Sequence, residues 1–366
     1  MKVLLIVPDV GRYGGTTRFL ERLLDIHVRH GIITTLLVPT GQCHDGLVAI
    51  AARYGVTLVH SLSRTLPDTP PFFTPFFDFL FSWTTLRLHC PDLIVVSTAD
   101  PGRLSIALYF PFPVLYILHS IPEKRFRLFP RWYIKIGSLL RNRFVTVSGA
   151  AADAISETMG IPRTCIEVVY NSYPVGERGT ENSHQSVVLT VGHLVGYKNP
   201  WLWLDIACKV LATYPDTLFV WLGDGELLEP LRNKVKQLSL EKWILLPGYI
   251  EDPSSWYLGT SVYLQPSSRE SHGIAVLEAM AHGLPCVVAN IGGLPESVVD
   301  GESGYVCPLA DPASFAAAVM GLLGDPGLRN RMGEAGRQRV ENNFSEELQE
   351  EKLMVLYCSL VQQKEG

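Results

Sequence analysis

Two glutamates, Glu270 and Glu278, stand with seven residues between them in the run Glu270-Ser-His-Gly-Ile-Ala-Val-Leu-Glu278. The apolar run Ser261-Val-Tyr-Leu-Gln-Pro266 before them reads as a strand. Ala275-Val-Leu-Glu-Ala-Met280 reads as a helix that ends near His282-Gly283, with Pro285 beyond. The first carboxylate then lies in a loop, and the second lies about two turns inside the helix, on the face that Ile274 and Ala275 begin. Between them Ser271, His272, Gly273 and Ile274 present backbone N–H groups at a helix N-terminus. Such a terminus carries roughly +0.5 of an elementary charge and accepts anions. A loop acid, an anion-binding helix start and a second acid suit a ligand with hydroxyls at both ends and phosphate in the middle. A nucleotide-diphosphate sugar has that build.

Other loops after apolar runs carry chemistry-bearing side chains. Lys198 lies in Gly192-His-Leu-Val-Gly-Tyr-Lys-Asn199, just ahead of a helix, where an ammonium can reach a diphosphate as a point charge. Taken alone it is an exposed lysine; the glutamate motif downstream selects the functional reading. His119 closes the run Val114–Leu118. A histidine there is either a satisfied structural residue or a group facing the ligand. Gly14-Gly15 precedes a helix and either brings amides to a phosphate or makes a tight turn. It is not G-x-G-x-x-G, which disfavours a dinucleotide site. Asp224 and Glu226 imitate a metal pair, but Gly223-Asp-Gly-Glu226 reads as a glycine-rich turn before a helix. No metal or other cofactor is expected. Asn290-Ile-Gly-Gly293 reads as a further turn.

The elements that hold these loops alternate. In the first half, the runs Val3–Val7, Ile33–Val38, Leu93–Ser97, Val114–Leu118, Phe144–Val147 and Ile166–Val169 read as buried strands, and Thr16–His30 as an amphipathic helix closed by Gly31. The pattern restarts near residue 186. Ser186–Val191, Thr217–Leu222, Trp243–Leu246, Cys286–Ala289 and Tyr305–Val306 join the strand before Glu270, and Pro200–Tyr214 reads as a helix with proline in its first turn. Buried β-branched strands separated by helices imply parallel sheets covered on both faces. The fold class is therefore α/β, with two doubly wound, Rossmann-like domains facing a cleft. Ser172–His184, rich in Gly, Ser, Asn and Glu, reads as the linker. The expected domains are 1–172, on the acceptor side and joined by a C-terminal helix within 346–366, and 185–345, on the donor side.

Composition narrows the classes. A chain of 366 residues is long enough for two cores, and 47% hydrophobic with 18% charged residues suits a folded, water-soluble protein. A net charge of −5 disfavours general nucleic-acid binding. The seven cysteines form no CxxC and no cluster with histidine at metal spacing, which fits reduced thiols in the cytoplasm. Met1–Pro8 is too short to be a signal peptide, and no apolar run reaches the roughly 18 residues of a membrane span.

The ensemble of Gly192–Asn199, Gly223–Glu226, Pro247–Asp252, the glutamate pair, Ala281-His-Gly-Leu-Pro285, Gly292-Gly-Leu-Pro-Glu296 and Met332–Ser345 resembles the retaining glycosyltransferases of family four, which have the GT-B fold. The resemblance implies roles. Glu270 would hold donor-sugar hydroxyls and Glu278 the ribose hydroxyls. Lys198 would bind the diphosphate with the N–H groups of Gly273 and Ile274, Ser271 standing in the same loop. Tyr249 and Ile250 would border the nucleobase. His119 would lie beside the reacting sugar and Gly15 near the phosphates. Transfer would retain the anomeric configuration by front-side attack. One departure is His193, where the family usually has an arginine; a histidine supplies less positive charge, and Arg18 is a candidate to compensate. His272 replaces a usual aromatic residue.

The implied partners are a nucleotide sugar and a glycan or lipid-linked acceptor, with no nucleic acid. Glu123–Arg143 sets seven Lys and Arg residues against one acid, with Phe126, Phe129, Trp132, Tyr133 and Ile136 interleaved. It reads either as a face resting on anionic lipid or as a solvated helix with its aromatics in the core. Phe72–Leu88 spaces Phe72, Phe76, Phe79 and Trp83 on one helix face, a pattern of core packing. The expected location is cytoplasmic, with the peripheral membrane contact as an extension. Two alternatives compete with transfer: a non-catalytic sugar-nucleotide-binding subunit, and a nucleotide-sugar epimerase.

Overall fold

The structure, a computed structural model, describes residues 1–7, 14–39, 45–61, 90–98, 112–122, 142–176 and 186–362. The segments 72–88, 123–141 and 177–184, to which the sequence assigns a packed helix, a basic aromatic face and most of a linker, lie outside those residues. The chain divides into two units, Met1–Tyr170 with Glu350–Gly366, and Asn171–Gln349.

The first unit is built on a parallel sheet. Its described strands are β1 (Lys2–Ile6), β2 (Ile33–Pro39), β3 (Thr57–Ser61), β4 (Leu93–Thr98), β5 (Val114–Leu118), β6 (Asn142–Thr146) and β7 (Ile166–Val168). They run in the order β3-β2-β1-β4-β5-β6-β7. Both β4 and β5 are buried along their whole length, as strands covered on both faces must be. Helix α1 (Gly15–Arg29) lays Phe19, Leu20, Leu23, Leu24 and Ile26 into the core beside Val3, Leu5, Leu36 and Leu115. The i, i+3, i+4 spacing of that stripe is what docks it, and each such side chain contributes about 1.5–3 kcal/mol. Helix α2 (Asp45–Arg53) leads to β3. Sequence signals neither: β3 is a half-buried edge strand whose alternation is weak. Helix α3 (Gly149–Met159) starts where the Ser148 hydroxyl accepts from the Ala151 N–H at 3.1 Å, and it stops at Gly160, whose φ of +72° suits glycine.

The second unit holds β8 (Val187–Val191), β9 (Leu218–Leu222), β10 (Ile244–Gly248), β11 (Val262–Gln265), β12 (Cys286–Ala289) and β13 (Gly304–Cys307), ordered β10-β9-β8-β11-β12-β13 and parallel throughout. Helix α4 (Pro200–Leu211) opens on proline and buries Trp203, Leu204, Ile206, Ala207 and Val210. The Trp203 indole N–H donates to the Thr190 hydroxyl at 2.8 Å, which donates to the Leu264 carbonyl at 2.6 Å, tying α4 to β8 and β11. Helices α5 (Leu228–Gln237), α6 (Ser254–Leu258), α7 (Ile274–Ala281), α8 (Leu294–Ser297), α9 (Pro312–Gly324) and α10 (Pro326–Asn343) complete it. Strand order reverses between β8 and β11, and in the first unit between β1 and β4. At such a reversal the flanking connections leave on opposite faces and open a crevice at the carboxyl ends of the strands.

Helix α11 (Glu346–Gln362) runs from the second unit into the first. Its Leu353, Leu356, Tyr357 and Leu360 belong to the core that holds β1 and α1. Buried His27 of α1 bridges the Thr34 hydroxyl at 2.8 Å and the Tyr357 hydroxyl at 2.9 Å. Burial without a counter-charge lowers its pKa to about 4, so the ring is neutral at pH 7.

Candidate functional site

The loops after β8 and β11 meet at the reversal of strand order in the second unit. Lys198 ends a single turn of 3₁₀ helix, Gly196–Lys198, and Asn199 then takes a left-handed conformation, φ 60°, that launches α4. The Lys198 ammonium donates to Glu270 Oε2 at 2.5 Å, with 12% and 15% of the two side chains exposed. Strand alternation puts Tyr263 and Gln265 on one face of β11. The Tyr263 hydroxyl donates to Gln265 Oε1 at 2.7 Å, and Gln265 Nε2 donates to the Ser267 hydroxyl at 2.9 Å and to Glu270 Oε2 at 3.4 Å. Glu270 is thus held by one cation and one buried amide. Burial keeps the Tyr263 phenol protonated, its pKa far above the ordinary value. The loop is tied down further. The Ser268 N–H donates to the Tyr197 carbonyl at 2.8 Å, and the Arg269 guanidinium lies over the Tyr197 ring, 5.0 Å from its centre.

Gly273 starts α7 with φ +86°. A Cβ there would stand 2.9 Å from Leu294 Cδ2, so glycine fits both the conformation and the space. This cap fixes Ile274 as the first helical residue. Glu278 is therefore the fifth residue of α7, a little over one turn in, and not two turns as its sequence suggests. It is 2% exposed, and the Tyr173 hydroxyl donates to its Oε1 at 2.8 Å. His272 is buried edge-on against Phe344, ring centres 5.2 Å apart, and burial lowers its pKa to about 3. Its side chain is core, which leaves the backbone of Ser271, Gly273 and Ile274 at the helix start.

Two glycine turns set the neighbouring loops. A Cβ on Gly223 would meet the Gly192 carbonyl oxygen at 2.0 Å, and one on Gly225 would meet that of Leu194 at 2.5 Å. The loops after β8 and β9 therefore pack backbone to backbone, joined by Leu194 N–H to Asp224 O at 2.9 Å. Gly223 N–H donates to Gly248 O at 2.8 Å and brings in the end of β10. His193, Tyr249 and Ile250 stand on this same carboxyl edge, Tyr249 with 45% of its surface exposed. The Lys198 stem lies over Gly192, where a Cβ would come within 3.6 Å of its Cε.

His119 and Gly15 stand at the carboxyl edge of the other sheet, in the first unit. His119 follows β5; its Nε2 is 2.8 Å from the Ser97 hydroxyl at the end of β4. The Phe19 ring of α1 meets it edge-on, centres 4.6 Å apart. Burial lowers its pKa to about 4, so it is a neutral imidazole at pH 7. Gly14, with φ +123°, turns the chain into α1 at Gly15.

Among the described residues no group of three or more His, Cys, Asp and Glu gathers as a metal site. Among the same residues no helix is long and apolar enough to cross a membrane. Sequence missed Gln265, inside a strand, and Tyr173, inside the segment read as linker. Neither carries a motif; only the fold brings Tyr173 to Glu278.

Comparison with known proteins adds the family. The description "Glycosyltransferase Family 4" matches residues 13–176, and "Glycosyl transferases group 1" matches residues 177–339. The chain is 32% identical over 157 residues to N-acetyl-alpha-D-glucosaminyl L-malate synthase of Bacillus anthracis, covering 43% of this chain and 41% of that protein. It is 33% identical over 181 residues to the UDP-Gal:alpha-D-GlcNAc-diphosphoundecaprenol alpha-1,3-galactosyltransferase of Escherichia coli, covering 49% of this chain and 46% of that protein. The matches thus span less than half the length of these two relatives. The crystal structure of Anabaena HepE in complex with UDP has the same fold, with a TM-score of 0.78 and 17% identity over 98% of this chain and 100% of that one. With two consecutive family matches and two Rossmann-like parallel sheets, the chain belongs to the group 1, family four glycosyltransferases and has the GT-B fold.

Proposed function

We propose that this chain moves a sugar from a nucleoside-diphosphate sugar to a hydroxyl of a glycan or lipid-linked acceptor, with retention at the anomeric carbon, in the synthesis of a surface polysaccharide or glycolipid. One observation carries the proposal: Lys198 and Glu270 meet at the reversal of strand order, beside the N-terminus of the helix that bears Glu278. A cation, a helix start and two acids stand in the order that a diphosphate flanked by two polyols requires.

In this proposal the second unit is the donor side and the first the acceptor side. Glu270 holds sugar hydroxyls, and Glu278 holds the ribose. Tyr249 and Ile250 border the base. Lys198, His193 and the N–H groups of Ser271, Gly273 and Ile274 take the charge of the diphosphate. The bond from the anomeric carbon to the phosphate oxygen breaks while the acceptor oxygen attacks from the same face. The freed phosphate oxygen takes the acceptor's proton. Rate then comes from positioning and from stabilising charge on the leaving group. On the first unit we assign His119 to the reacting sugar, as a neutral imidazole, and Gly15 to the phosphates. Lys198 and the helix dipole supply that charge without calling on a metal.

UDP-sugars come first in the test, since the E. coli relative is named for UDP-Gal and HepE was solved with UDP. Nucleotide release should depend on both a sugar donor and an acceptor, with the product's anomeric configuration matching the donor's by NMR. Lys198→Ala and Glu270→Ala should each lower the rate by about a hundredfold or more. Binding without turnover would make the chain a non-catalytic subunit. Donor consumption without acceptor would make it an epimerase. The basic, aromatic sequence 123–143 supports peripheral attachment at the cytoplasmic face of a membrane. Sedimentation with anionic vesicles that weakens in salt is the expected result; its absence at low salt removes the membrane from the proposal.

A further inference from the structure

We infer that Tyr173 is a positioning residue of the nucleotide site, whose phenol fixes the Glu278 carboxylate in the orientation that reads a ribose diol. The inference rests on the proposed role of Glu278.

Glu278 is buried to 2%, and the Tyr173 hydroxyl donates to its Oε1 at 2.8 Å. A buried carboxylate must be hydrogen-bonded, and a donor to a charged acceptor makes one of the stronger neutral-to-ionic bonds. The phenol stands on a fixed backbone. The Tyr173 N–H donates to the Phe344 carbonyl at 3.1 Å, and the adjacent Ser172 hydroxyl donates to Gln349 Oε1 at 2.8 Å. The other end of the same glutamate is held as well. His282 Nδ1 lies 2.8 Å from the Glu278 carbonyl oxygen, and the His282 ring stacks on Tyr257 with centres 4.9 Å apart. The Tyr173 ring lies 6.3 Å from that of His282.

A glutamate side chain has three rotatable bonds, and ordering it costs rotamer entropy. Here the phenol meets that cost before any nucleotide arrives. A carboxylate accepts at about four sites. The same group that takes the phenol can therefore serve two vicinal hydroxyls, and its fixed plane selects for both being present. No sequence motif marks Tyr173; it lies two residues past the point where the chain enters the second unit.

The test measures affinity of the full chain for UDP, GDP and ADP, and then for the 2′-deoxy and 3′-deoxy forms of whichever binds. The wild type should favour the ribonucleotide. Tyr173→Phe, checked for an unchanged melting transition, should weaken ribonucleotide binding about fivefold and leave the deoxy forms nearly unaffected, so that discrimination collapses. In a Glu278→Gln background the same substitution should add little. Equal loss for ribo and deoxy forms would reduce Tyr173 to a packing residue and overturn the inference. So would unchanged binding, or tighter binding, which would mark the phenol as a competitor of the ribose. A wild type that binds the nucleotides without preferring the ribo form would sink the role of Glu278 itself, and one that binds none would sink the proposed function.

Discussion

Glu270 and Lys198 face each other, so neutralising the acid has opposite effects on diphosphate binding and on sugar transfer. With the pair at 2.5 Å and some 12–15% of each side chain still exposed, its net worth falls at the lower end for charged hydrogen bonds, about 1.5 kcal/mol. A diphosphate that draws the ammonium away forfeits about half of that, roughly 0.7 kcal/mol, or threefold in affinity. Glu270→Gln keeps the shape and an acceptor oxygen for Gln265 and Lys198, but removes the negative charge that holds the lysine. It should therefore bind a free nucleoside diphosphate about threefold more tightly while sugar transfer falls by about a hundredfold. Lys198→Met should do the reverse to the diphosphate, weakening it by about tenfold or more through loss of a charged contact. Titration calorimetry with UDP, or with whichever nucleoside diphosphate binds, separates the two variants. If Glu270→Gln weakens the diphosphate as Lys198→Met does, the acid is not competing for the lysine and the electrostatic account of the pair fails.

Other expectations follow from the same geometry. His27 has a folded pKa of about 4 against an ordinary 6.5. The unfolded chain therefore binds the extra proton, and stability is lost as pH falls from 6.5 towards 4. The loss reaches about 2 kcal/mol by pH 5, with His119 and His272 adding in the same direction; a melting temperature that stays flat between pH 7 and 5 would contradict this. Gly223→Ala drives a Cβ to 2.0 Å from the Gly192 oxygen and should cost about 4 kcal/mol or more, whereas Gly196→Ala meets nothing within 4 Å and should stay within about 0.5 kcal/mol. Denaturant titration of both variants checks the contrast, and equal costs would refute it. His193→Arg restores a full charge beside the diphosphate and should tighten nucleotide binding by about three- to tenfold; an unchanged dissociation constant would place the side chain away from the phosphates.

Motifs with strong local rules were legible in the sequence. The strand-to-helix turn around Gly273 could be placed because glycine, an apolar run and a proline punctuate it within a few residues. The strands β4 and β5 announce themselves as unbroken apolar runs. The depth of Glu278 in its helix was misjudged because the left-handed Gly273 sets the start, and a φ angle leaves no mark beyond the presence of glycine. The edge strand β3 was invisible because half-burial dilutes the alternation. The contacts that tune the site were invisible for another reason. Tyr173 reaches Glu278 across 105 residues, and Lys198 reaches Glu270 across 72. The motifs and the family resemblance turned both Lys198 and Glu270 towards a ligand; in the structure they satisfy each other, because two charges with limited water need partners.

Helix α11 imposes an order on biosynthesis. The core around β1 and α1 lacks Leu353, Leu356, Tyr357 and Leu360 until the ribosome has made them, although every described strand of that sheet is already synthesised by residue 168. Residues 171–345, by contrast, are complete before that helix is made. The half made second can therefore close first, while the half made first waits with an open apolar face.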